Sequence, residues 1–157
     1  YSRSMSIELE LLPVRPMTEQ DIDTVMTIEK RAFPFPWTPS IFKDCLKHNY
    51  SCWIYERDAS IIGYAVMMFV IDEMHLLNIC IDPHEHGKRL GSRLLQTLEH
   101  KARGLQAETC FLEVRQSNFS AIRLYLNAGF NEVGIRKGYY PAALGREDAI
   151  VMAKALL

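Results

Sequence analysis

The stretch FLEVRQSNFSAIRLYLNAGF, residues 111–130, decides how the chain is read. It opens as a strand and closes as a helix. Along residues 110–115 the side chains alternate, so Phe111 and Glu113 point to one face of a sheet and Leu112 and Val114 to the other. Ser117 or Asn118 offers the cap of the helix that follows, in which Phe119, Ile122, Tyr125 and Leu126 are spaced to share a face, and Gly129 supplies a left-handed stop. A glutamate on an otherwise apolar strand costs free energy unless it reaches water or a partner. Glu113 is therefore either a salt-bridged structural carboxylate or a functional one. Taken alone, Tyr125 is a core aromatic whose hydroxyl finds a nearby partner. A strand glutamate and a helix tyrosine joined by a capped turn can also face a single cleft.

Outward from this unit, residues 8–15 read as a first strand, and Thr18 with early acids opens a helix that runs toward Arg31. FPFPW, residues 33–37, ends that helix, because each proline removes a donor and restricts the residue before it. Thr38 and Pro39 start another as N-cap and first turn. Residues 50–56, 61–71 and 74–81 are expected as an antiparallel meander, followed by a helix from about Arg89 to Gly104 with leucines at 90, 94, 95 and 98. After the opening unit, strands 130–136 and 149–153 flank a loop containing Tyr139 to Gly145. The order β α α β β β α β α β β predicts a single α/β domain built on a mixed, mostly antiparallel central sheet flanked by helices.

Composition narrows the function. With 157 residues, 48% hydrophobic and 24% charged, the chain fits one soluble globular domain, expected over 5–157. Tyr1 to Ser4 precede Met5 and are read as a cloning remnant. A net charge of -1 gives no broad basic field, so no direct nucleic-acid or membrane-surface role is expected. The apolar run 61–71 is about half of the ~20 residues a membrane helix needs. No basic-then-apolar leader is visible near the start, and the four cysteines are dispersed as in a reducing compartment, so a cytoplasmic location is expected; the chain is taken as a monomer. Cys80, His84 and His86 lack the spacing of a metal site, and no metal is expected.

A second motif is NICIDPHEHGKRLG, residues 78–91: a strand, a break, a basic glycine-containing turn and a helix start. Free N–H groups and the positive dipole end of a helix hold phosphate oxygens, and glycine lets the backbone come close. A solvated helix start reads equally well on composition alone. The turn is neither a Walker loop nor a dinucleotide-binding GxGxxG.

With these residues in hand, the chain resembles the GCN5-related N-acetyltransferase superfamily. FPFPW (33–37), Asp72-Glu73, LNICIDP (77–83), LEVRQSN (112–118), AIRLY (121–125), Gly129-Phe130, YYP (139–141) and EDA (147–149) are similar to the RimI family, the bacterial ribosomal-protein alanine N-acetyltransferases. The resemblance implies the single-domain fold of that superfamily and acetyl-CoA as cosubstrate. It implies Glu113 as general base and Tyr125 as general acid. Ile79, Cys80 and Ile81 would hold acetyl-CoA through their backbone, Gly87, Lys88, Arg89, Leu90, Gly91 and Ser92 would cradle its pyrophosphate, and Asn118 would contact it farther along. The superfamily pattern [Q/R]-x-x-G-x-[G/A] here reads HGKRLG (86–91), with Arg89 where the first motif glycine is usual. The implied acceptor is the N-terminal alanine of a small-subunit ribosomal protein, protein 18, whose tail is basic. Asp72, Glu73, Glu147 and Asp148 would give an acidic rim, and Trp37, Tyr139 and Tyr140 would wall the slot. Acetylation of protein lysines or small amines, and acetyl-CoA sensing without turnover, are the alternatives.

Overall fold

Along the third strand the side chains part cleanly to two sides: Tyr64 and Val66 pack among residues of the first two helices, Ala65 and Met67 among residues of the last two. All four are fully buried, which is why this strand reads as continuously apolar. The computed structural model describes residues 11–157. Its strands are β1 (Arg15–Pro16), β2 (Ser51–Arg57), β3 (Ser60–Val70), β4 (Glu73–Ile81), β5 (Thr109–Arg115), β6 (Asn131–Pro141) and β7 (Arg146–Ala155). The helices are α1 (Ile22–Ala32), α2 (Pro39–Lys47), α3 (Leu90–Gly104) and α4 (Phe119–Asn127). Among the described residues the strands form one sheet of order β1-β2-β3-β4-β5-β7-β6, antiparallel except for β4 with β5.

The parallel pair positions the site. β4 and β5 pair only from Glu73 to Leu76 and from Thr109 to Leu112. Beyond that point β4 runs on to Ile81 and β5 to Arg115 without pairing, so the sheet opens in its middle. The cause is local. In the β3–β4 ladder Val66 faces Asn78 and Met67 faces Leu76, which leaves Leu77 as an extra residue, and such a bulge bends its strand. On the far side β5 stays fully paired with β7 up to Arg115. Glu113 therefore stands on an inner edge within the sheet, where β5 has parted from β4 but is still paired with β7.

Three expectations need correction. Of the strand expected at 8–15, residues 8–10 lie outside the described residues, and Leu11 to Val14 do not join the sheet. Pro13 has no N–H for a ladder, and Leu12 instead donates its N–H to Thr97 Oγ1 of α3 at 2.8 Å and is buried against that helix. On α4 the buried side is rotated from the expected one: Tyr125 is buried and Ala121, Ile122 and Leu124 pack on the core, whereas Phe119 and Leu126 face solvent. Finally, Tyr139, Tyr140 and Pro141 belong to β6, and the loop shrinks to residues 142–145.

Candidate active site

Two clefts meet at the opening between β4 and β5. The first, of about 450 Å³, is lined by Ile79, Cys80 and Ile81 of β4, by His86, Gly87, Arg89, Leu90, Gly91 and Ser92 at the head of α3, and by Asn118, Ala121, Leu124 and Tyr125 of α4. The second, of about 620 Å³, is lined by Glu29, residues 33–37, Leu77, Asn78, Glu113, Arg115 and Tyr140. Phe33, Ile79, Asn118, Ala121 and Tyr125 line both, so the clefts share a boundary.

The first cleft has the character of an anion and acyl site. β4 beyond Leu76 has no neighbour on its β5 side, which leaves backbone groups there open to a ligand. At the head of α3, Leu90 N–H reaches Gly87 carbonyl at 3.4 Å and Arg93 N–H reaches Arg89 carbonyl at 2.9 Å. The N–H groups of Gly91 and Ser92 have no partner among the described residues, as a helix start leaves them. Gly87, Lys88 and Arg89 have φ of 99°, 57° and 55°, three left-handed residues in succession. Glycine adopts this freely, whereas a lysine and an arginine there hold strain of about 1–2 kcal/mol each. Arg89 thus takes up the backbone shape for which the usual glycine is suited. Lys88, one of the expected contacts, does not line the cleft.

Tyr125 stands at the shared boundary. Its hydroxyl has no hydrogen-bond partner among the described residues, and burial pushes its pKa up from the ordinary 10.0, with smaller effects from Cys110, Tyr140 and Cys80. It stays protonated at neutral pH. Glu113 lies only in the second cleft. There it is ion-paired with Arg136, whose side chain is 60% exposed, and its charge acts on the neighbouring Tyr139. An ion pair this exposed is worth about 0–1 kcal/mol, so an incoming cation can displace the arginine at little cost. Burial first, and then the charge of Glu113, raise the pKa of Tyr139 and push Tyr140 up to about 12. Cys80 is buried and its thiol is pushed up to about 12 by desolvation, far from a nucleophilic thiolate.

The sequence-predicted acceptor residues divide. Trp37 and Tyr140 wall the second cleft, and Tyr139 packs edge-on against Tyr140 at 4.9 Å. Asp72 and Glu73 stand where β4 begins, at the opposite end from Ile79 to Ile81, and line neither cleft; Glu73 holds His75. Asp148 also lines neither. Between Arg136 and Tyr140, β6 has three residues where β7 has one, and Asp148 Oδ1 accepts the Gly138 N–H at 2.8 Å inside this bulge. Its role is to shape the strand that carries the two tyrosines. Glu147 likewise accepts from Arg115 Nη1 at 3.0 Å and from the Ser117 N–H at 3.1 Å. Asn118 Oδ1 caps α4 through the Ala121 N–H while its side lines both clefts.

Glu29 was missed. It is 2% exposed and no cation among the described residues touches it, yet Oε2 accepts the Trp37 N–H at 2.9 Å and Oε1 accepts from the Tyr64 hydroxyl at 2.7 Å and from Asn78 Nδ2 at 3.1 Å. The carboxylate ties the loop 33–37 to the strand beside Ile79. Its signal was visible, since Ile22, Val25, Met26 and Glu29 follow the i, i+3, i+4, i+7 pattern of the buried face of α1. A glutamate in a core position needs donors around it.

Residues 22–130 match the model of the Acetyltransferase (GNAT) family. The chain belongs to this family. This GNAT chain is 39% identical over 133 residues to the [ribosomal protein bS18]-alanine N-acetyltransferase of Escherichia coli strain K12, covering 85% of this chain and 90% of that one. It is 40% identical over 134 residues to the enzyme of the same description from Haemophilus influenzae, covering 85% and 91%. The crystal structure of the ribosomal-protein-S18-alanine N-acetyltransferase from Escherichia coli superposes with a TM-score of 0.85 at 36% identity, over 92% of this chain and 93% of that one. The chain is thus an N-acetyltransferase, an acyltransferase of the GNAT fold.

Proposed function

We propose that the chain transfers the acetyl group of acetyl-CoA to the N-terminal α-amine of alanine in the small-subunit ribosomal protein bS18, which the relatives' names give as their acceptor. The observation that carries the reading is the meeting of the two clefts at Tyr125, with Glu113 on the side away from the α3 head. The first cleft suits acetyl-CoA. Free N–H groups at Gly91 and Ser92 and the cation of Arg89 match a pyrophosphate, and Gly87 leaves open space for it. Bound there, acetyl-CoA supplies an activated thioester, and the acceptor amine attacks its carbonyl directly.

The protein's own groups then do three things. Backbone N–H groups of the unpaired part of β4 polarise the thioester oxygen. Glu113 takes the proton of the amine, directly or through water. Tyr125 donates its proton to the departing sulfur. No thiol of the enzyme takes the acetyl group. The base also selects the amine. A peptide α-amine has a pKa of about 7.7–8.0 against about 10.4 for lysine, so lysine needs about 3.5 kcal/mol more to be neutral near pH 7. A carboxylate is the weaker kind of base and suits the α-amine.

The test is a set of peptides beginning Ala-Arg-Tyr-Phe, with the α-amine free or blocked, beside a lysine-containing control, incubated with acetyl-CoA and read by mass spectrometry. Acetyl on the free α-amine alone is expected. Acetyl on lysine, or bound acetyl-CoA without transfer, would overturn the acceptor assignment.

A further inference from the structure

The acceptor cleft has two walls that are far apart in sequence, the loop 33–37 and the end of β6, and one side chain touches both. The Arg115 guanidinium carbon lies 4.6 Å from the ring centre of Phe35 and 4.5 Å from that of Tyr140. Its Nη1 donates to the Pro141 carbonyl at 2.6 Å and to Glu147 Oε1 at 3.0 Å, and the side chain is 15% exposed. Phe35, by contrast, is 41% exposed and belongs to none of the core clusters. Prolines on both sides stiffen its loop, but they do not fix how far it stands from β6.

We propose that Arg115 is a positioning residue that sets the width of the acceptor cleft, its guanidinium plane stacked between a ring from each wall. Glu147 and the Pro141 carbonyl hold the arginine to the β6–β7 side, and Phe35 closes onto it from the other. The trans-cleft contact therefore needs a flat cation with two usable faces. Lysine keeps the charge and can keep the bonds to Glu147 and Pro141, but it offers a point charge and no plane. The claim rests on the proposal that the second cleft receives the peptide.

The test is the set Arg115→Lys, Phe35→Leu and the double variant. Each single change should raise KM for the α-amino peptide about tenfold, the scale of one stacked cation–ring contact, with kcat and acetyl-CoA affinity within about twofold. The double variant should be no worse than the worse single, because the contact can be lost only once. Unchanged KM in the singles, or an additive rise near hundredfold in the double, would overturn the clamp. Amide exchange at Trp37 in the substrate-free protein tests it independently of the acceptor. Faster exchange in both singles is expected, and parent-like exchange would contradict the proposal even if another amine proves to be the substrate.

Discussion

Glu29→Leu should lower the melting temperature by about 6–12 °C. The change is close in size, so the effect comes from hydrogen bonds and not from a cavity. It removes the acceptor of three donors, the Trp37 N–H, the Tyr64 hydroxyl and Asn78 Nδ2. A buried donor left without an acceptor costs about 1–3 kcal/mol. Trp37 and Asn78 border the cleft, where water can reach them in part, so the low end of that range applies to them and a higher value to the fully buried Tyr64 hydroxyl; relief of the buried charge offsets part of the sum, and about 3 kcal/mol in all is expected. For a chain of this size each kcal/mol moves the midpoint by about 2–4 °C. Glu29→Gln should lose only about 1 kcal/mol, because its oxygen can accept from Trp37 while Tyr64 and Asn78 turn their own oxygens toward the new amide. Thermal unfolding followed by circular dichroism gives both numbers. A leucine variant that melts with the parent, or above it, would refute the view of Glu29 as an anchor and show that burying its charge costs as much as its bonds return.

Further outcomes follow from other parts of the fold. A Cβ at Gly63 would sit 2.7 Å from the Cys80 carbonyl oxygen, so Gly63→Ala should push the end of β4, cost about 1–3 kcal/mol and weaken acetyl-CoA binding about tenfold; unchanged calorimetric affinity would contradict this placing of the cosubstrate. Cys52, Cys80 and Cys110 are buried with thiols pushed up to about 12, so a thiol reagent at pH 8 should label them only after unfolding, and fast labelling of the native protein would contradict their burial. The hydrogen bonds of Arg15 hold the Asp21 carboxyl below its ordinary 3.8, so its contribution is present above that pH and lost as pH falls through the lower native value. Asp21→Asn should therefore destabilise by about 1 kcal/mol at pH 7, with Arg15 partly in water, and the difference should close once pH falls below the lowered native value; a difference independent of pH would rule this out.

Where periodicity and punctuation were local, the sequence was readable. The apolar run of β3, the Thr38 cap with Pro39 behind it and the Gly129 stop all lie where pattern and turn chemistry place them, because each depends on a few neighbouring residues. The features that make the site depend on distant pairs. The break between β4 and β5 arises from one extra residue, Leu77, counted against β3, and no single segment reveals that register. Asp148 and Glu147 looked like rim charges because their partners, the Gly138 N–H of β6 and Arg115 of β5, come close only when β7 pairs with both of those strands. Asp72 and Glu73 were near the motif in sequence but stand a whole strand away from Ile81. Arg115 and Arg136 carried no signal of their own, since a clamp between two walls and a cation on Glu113 exist only in the folded chain.

The claim on which the mechanism rests is that Glu113 takes the proton of the acceptor amine while the acetyl donor occupies the other cleft. The most direct measurement is turnover of the free α-amino peptide by Glu113→Gln, beside its acetyl-CoA affinity by calorimetry. Glutamine keeps the shape and removes the basicity. Turnover should fall by about 10²–10⁴ with the affinity within about twofold of the parent. Parent-like turnover at every pH, or a loss of acetyl-CoA binding that matches the loss of rate, would contradict it.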